Sequence, residues 1–164
     1  MPRMEEHIEL ANRNQAVLEY LLCDAGLCAE TIAITAFYKS LHVLEAVFYH
    51  REKAHFHSHA ERDFHIKKHR HYAGLWRPYR AMSSASYVAR YLADNQTEQG
   101  FACFADYLPA TDVRSKLLDG YLYGFEHLAV QLLPQGHGLN RYPKGGAVVQ
   151  PIPKQPSPPV VPVP

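Results

Sequence analysis

LCAETIAITAFYKSLHVLEAVFYHRE, residues 27–52, is apolar on almost every side when wound as a helix. A helix lying on a protein surface shows one apolar stripe, whereas a rod that is apolar all round has neighbours on several sides. The stretch therefore predicts a central, buried helix that the rest of the chain must surround. On its N-terminal side, residues 4–22 place Ile8, Ala11, Leu18 and Leu22 on one stripe of a first helix. On its C-terminal side, Ser58-His-Ala-Glu61 matches a capping box, which predicts a third helix starting at residue 59. RPYRAMSSASYVARYLA carries a fourth helix over about 73–93, with Pro78 opening its main body or kinking it. After a polar connection over 94–110, Thr111 and Asp112 cap a fifth helix to about residue 133. Val113, Leu117, Tyr121, Phe125, Leu128 and Leu132 stand at core spacing along it. No segment alternates as a strand does, so residues 1–133 read as an all-α, up-and-down bundle of four to five helices.

Composition agrees with a packed body. Hydrophobic residues are 47% of the 164, enough for a single domain with a real core. From Pro134 the character changes: KGGAVVQPIPKQPSPPVVPVP, residues 144–164, is rich in Pro and Val with almost no charge. Residues 134–164 are thus expected to be a disordered or polyproline II tail, either idle or docking a non-catalytic assembly subunit onto a partner protein. Three cysteines form no CxxC pair and no even framework, which points to a reducing cytoplasm, with Cys23 and Cys28 filling apolar gaps. MPRMEEHIEL has no apolar signal core, and no uncharged run approaches 18 apolar residues, so no membrane association is expected.

Charge is unevenly spread. The chain carries a formal +1, yet residues 51–90 hold nine Lys/Arg against three acids. That segment is +6 and the remainder −5, an asymmetry suited to an anionic partner. Within it, HFHSHAERDFHIKKHRH, residues 55–71, holds six of the eleven histidines. His55, His57 and His59 alternate, and His65 and His69 are one helical turn apart, as metal ligands can be. No carboxylate or cysteine falls at a clear ligand spacing from them, so no metal and no other cofactor is expected. Arginine–histidine pairs in the same stretch suit acid–base cleavage of RNA, the imidazole moving a proton while the guanidinium meets phosphorane charge. A solvated cationic helix face explains the same residues without chemistry. Two polar lines also stand out: Tyr38, His42, Glu45 and Tyr49 on the second helix, and Arg80, Ser84, Tyr87 and Tyr91 on the fourth. Were they to face each other, they would form a hydrogen-bonded seam or a ligand cleft.

FYxxLHxxEA (Phe37, Tyr38, His42, Glu45, Ala46), SHxxR (Ser58, His59, Arg62) and a later YR…RY (Tyr79, Arg80, Arg90, Tyr91) follow one another over the bundle. In that order they resemble the HEPN superfamily, the higher eukaryote and prokaryote nucleotide-binding domains, across roughly residues 5–133. The resemblance implies a helical bundle, usually a homodimer, that binds RNA or nucleotide in toxin–antitoxin, phage-defence or RNA-processing systems. An antitoxin or nucleotidyltransferase would be its partner protein. Catalytic members are metal-independent ribonucleases carrying Arg, four to six residues, then His on a late helix. Arg114 and His127 are too far apart for that, while Arg62 and His69 have a permitted spacing on an earlier helix. By position, His59 and Arg62 stand at a helix start that suits a phosphate. The expected catalytic set is Arg62, His69 and His59. The expected binding set is His42, Lys67, Lys68, Arg70, Arg80 and Tyr87, with bases stacking on Trp76, Tyr79, Tyr87 or Tyr91.

Overall fold

A computed structural model describes residues 2–145 apart from Gln96 and Glu98. Its helices are α1 (Met4–Leu21), α2 (Ala29–Glu52), α3 (His59–Lys68), α4 (Ala73–Tyr91) and α5 (Phe104–Tyr107). A continuous helical run follows, made of α6 (Ala110–Asp112), a π-helical segment (Val113–Leu122), α7 (Tyr123–Ala129) and a closing 3-10 turn (Val130–Leu132). Among the described residues there is no strand, only an isolated bridge between Ala93 and Gly100. The all-α bundle expected from the sequence is what forms.

α2 is the central rod. It packs on α1 along one side and on α4 along another, with the π segment and α7 closing the ring. Ile32, Ala36, Phe37, Val43, Leu44, Val47 and Phe48 are buried along it, facing Ile8, Ala11 and Leu18 of α1 and Tyr79 and Met82 of α4. Its length and apolar character would also suit a bilayer, but here neighbouring helices cover most of that surface. α2 ends where Lys53 turns left-handed (φ 55°) and gives its N–H to the Tyr49 carbonyl. α3 then starts as its cap prescribes. The Ser58 hydroxyl accepts the Glu61 N–H at 3.1 Å, and the Glu61 carboxylate accepts the N–H groups of His57 and Ser58 at 2.9 and 3.2 Å. Pro78 lies inside α4 without ending it, leaving the Gly74 carbonyl, one turn earlier, without an N–H from residue 78.

Two expectations need correcting. Of the apolar residues predicted to line the last helix, Val113, Leu117 and Phe125 are buried, but Tyr121 and Leu128 are each 36% exposed and Leu132 is half-buried. The π segment is the cause. Its wider turn advances the buried face faster than 3.6 residues per turn, so Leu118, Leu122 and Ala129 go inside instead. The same shift buries Glu126 completely. Nor does the chain leave the bundle at Pro134. Leu139 and Tyr142 are buried, the Asn12 side chain bonds Gly138 O and Asn140 N (2.9 and 2.7 Å), and Tyr142 N donates to Glu126 at 2.7 Å. Residues 134–145 thus form a strap across α1 and α7; the rest of the expected disordered tail, 146–164, lies outside the described residues. Cys23 and Cys28 are half-buried, Cys28 against the core, and Cys103 is exposed.

Candidate functional site

The polar line on α2 does not meet the line on α4; each engages different neighbours. Glu45 takes the Arg62 guanidinium from α3, and His42 turns to α1, with its Nδ1 3.5 Å from that of His7. His55, from the α2–α3 loop, brings its Nδ1 within 3.6 Å of Glu45. Arg62 also donates to the Phe56 carbonyl at 2.5 Å. His7, His42, Glu45, His55 and Arg62 line one pocket of about 210 Å³. Burial, reinforced by His42 and His55, lowers the His7 pKa to about 4, and burial with Arg62 lowers that of His42. These imidazoles are therefore neutral at neutral pH, with a lone pair to offer.

The remaining basic side chains do not gather in that pocket. They form a ridge over α3 and α4 on which Lys67, Lys68 and Arg70 are exposed and Arg80 is half-buried. Trp76, Arg80, Ser84, Tyr87 and Tyr91 fall on one face of α4, a line of roughly 22 Å at helical rise. Lys67 holds its ammonium 4.1 Å above the Trp76 ring, and the Arg80 guanidinium lies 5.9 Å from the same ring. Lys68 stands over Phe64, which is 66% exposed, at 5.6 Å. Tyr87 and Tyr91 pack ring to ring at 4.7 Å, with Arg90 5.2 Å from Tyr91. Arg80 is also 3.8 Å from Asp63, a carboxyl whose pKa partial burial raises despite that neighbour. Arg70 is exposed on the turn joining the two helices.

The residues expected to act together are thus divided. Arg62 and His42 share the pocket, whereas Lys67, Lys68, Arg70, Arg80 and Tyr87 stand outside it. Arg62 and His69 are engaged at two different places on α2. Arg62 binds Glu45, while His69 packs 4.2 Å from His65, which pairs with Glu52 two turns further along. His59 is exposed beside Phe37 (5.5 Å). Tyr79 is not available for stacking on a base, since it is fully buried between Phe37 and Phe125. A further pocket of about 290 Å³, between α4, α5 and the π segment, is lined by Ala85, Tyr107, Leu108 and Leu117 and contains none of these residues.

Sequence reasoning missed His7 and the buried ion pair. Lys39, in the middle of α2, is completely buried against Glu126 of α7. It also donates to Gln15 of α1 at 2.5 Å and to the Asn140 carbonyl of the strap at 3.0 Å. One signal was available: a lysine inside an all-round apolar rod requires a buried partner. No family model, no curated protein and no solved structure matches the chain.

Proposed function

We propose that the chain is a HEPN-like RNA-binding protein that holds single-stranded RNA along the α3–α4 ridge. The observation that carries this reading is Trp76, flanked by Lys67 and Arg80 at the head of a line that continues to Tyr87 and Tyr91. The half-buried rings of Trp76 and Tyr87 and the exposed ring of Tyr91 offer stacking faces that any base can use, and the cations between them meet phosphates. The concentration of positive charge in residues 51–90 supports the same assignment. Binding is favoured over cleavage, because Arg62 is held on Glu45 while His69 packs against His65, itself paired with Glu52 two turns further along α2, with no common centre between them. From the family resemblance the proposal takes a cytoplasmic homodimer working beside an antitoxin or nucleotidyltransferase.

Trp76 is the chain's single tryptophan, so its fluorescence reports directly on the ridge. A short unlabelled single-stranded RNA should quench it. Binding followed by anisotropy of a labelled strand should weaken about 50-fold from 50 to 200 mM salt, as four phosphate contacts imply. Charge reversal at Lys67 and Arg80 should weaken it further. Salt-independent affinity, or no association at low salt, would refute the assignment.

A further inference from the structure

The pocket between α1, α2 and the α2–α3 loop has a chemistry of its own, on different side chains from the ridge. His7 comes from the first turn of α1, Glu45 from the middle of α2 and His55 from the loop beyond it. One ligand atom from each lies within 4.8 Å of the other two. From these positions we infer that His7, Glu45 and His55 bind a divalent first-row transition-metal ion of the zinc class, with His42 beside them as a fourth ligand and third nitrogen donor.

Separations support the assignment. Two ligands on one tetrahedral ion, each at about 2.0–2.2 Å, stand roughly 3.3–3.6 Å from each other. The His7–His42 nitrogens are 3.5 Å apart, and His55 Nδ1 is 3.6 Å from the Glu45 carboxylate. At 3.5 Å the His7–His42 contact is a long N–H···N hydrogen bond in which only one ring offers its lone pair, whereas a shared cation would take the lone pairs of both. On His7 and His55 the Nε2 atoms, distinct from the Nδ1 atoms whose separations are given above, are also buried without a hydrogen-bond partner, so no protein group ties either ring through its second nitrogen. Neutral imidazole is the form a metal needs, and burial keeps His7 and His42 in it.

The carboxylate is already oriented for such a role. Arg62 takes Glu45 Oε1 and is itself held by the Phe56 carbonyl, leaving Oε2 toward His55. Metal-bound carboxylates are commonly fixed by an outer partner in this way. With Glu45 and Arg62 offsetting each other, the donor set is close to neutral, which favours an ion that accepts nitrogen over one that demands several carboxylates. The other cluster of similar composition, Glu52 with His69 and His71, lacks these features. It is more exposed, and Tyr72 and His65 already occupy the Glu52 oxygens at 2.7 and 2.8 Å.

The test is direct. Full-length protein, stripped with a chelator and dialysed, is titrated with Zn²⁺ by calorimetry and with Co²⁺ by visible absorption. One equivalent should bind, with cobalt bands of tetrahedral intensity and a rise in Tm. His55→Gln, a loop change that spares the core, and His7→Gln should each weaken binding at least tenfold and abolish the cobalt bands. Far-UV circular dichroism checks that both variants remain helical, and His69→Ala/His71→Ala should bind as the parent does. The inference is overturned if the parent takes up no stoichiometric metal. It is equally overturned if binding survives unchanged in both folded pocket variants, or is lost only in the His69/His71 variant.

Discussion

His7 carries the clearest electrostatic consequence in the molecule. It is 7% exposed, and its pKa is lowered from 6.5 to about 4 by burial and by His42 and His55, with Glu6 opposing and Arg62 adding a little. In an unfolded chain the imidazole takes a proton near pH 6.5, whereas in the fold it resists until about pH 4. The unfolded state thus binds more protons between these values. Stability should fall as pH drops through 6.5 and level off below 4, by about 3 kcal/mol from this group alone. His42 and His65, also lowered, act in the same direction. Urea unfolding at several pH values, with a chelator present, measures the effect. His7→Leu should flatten the profile, and a variant with an unchanged pH profile would show that His7 is not the source.

Between elements, the most informative contact is the pair formed by Lys39 of α2 and Glu126 of α7. Burial lowers the Lys39 pKa, while Glu126 pulls it back up. Neither charge reaches water, and the Gln15 side chain, the Asn140 carbonyl and the Tyr142 N–H complete the network. Removing one partner strands the other. Lys39→Met should cost about 3–5 kcal/mol in urea unfolding, and the double variant Lys39→Met/Glu126→Leu should recover most of that. Equal losses in the single and double variants would mean that packing, not the uncompensated charge, sets the cost. The π segment is what makes the pairing possible. In an unbroken α-helix starting at Val113, residues 117, 121, 125, 128 and 132 share a face; the wider turn keeps 117 and 125 inside, swings 121, 128 and 132 outward and brings 118, 122, 126 and 129 inward.

For the whole molecule, the strap over 134–145 joins parts of the chain that are far apart in sequence. It covers the Lys39–Glu126 pair and ties α1 to α7 through Asn12, Asn140 and Tyr142. Gly136 and Gly138 adopt left-handed φ values of 73° and 72°, which let the chain turn back onto the bundle after α7. Truncation after Leu133 removes the buried Leu139 and Tyr142 side chains and leaves Lys39 without the Asn140 carbonyl and Glu126 without the Tyr142 N–H. It should cost about 3 kcal/mol or more, read as a lowered denaturant midpoint. An unchanged midpoint would show that the strap is only a passenger.

How far the chain could be read depended on the range of the signal. Helix positions were legible because their cues are local: α2 from its all-round apolar character, α3 from Ser58 and Glu61, α1 from Ile8, Ala11 and Leu18. The ridge was partly legible for the same reason, since Trp76, Arg80, Tyr87 and Tyr91 repeat at helical spacing. The pocket and the ion pair were not. His7 and His55 flank α2 in sequence and meet only because α1 folds back along it, and Glu126 turns inward only because ten residues before α7 wind as a π-helix. Periodicity reports which face of a rod is apolar, over a few residues at a time. Which side chains meet across rods depends on crossing geometry and helical phase, and these are set only once the bundle has packed.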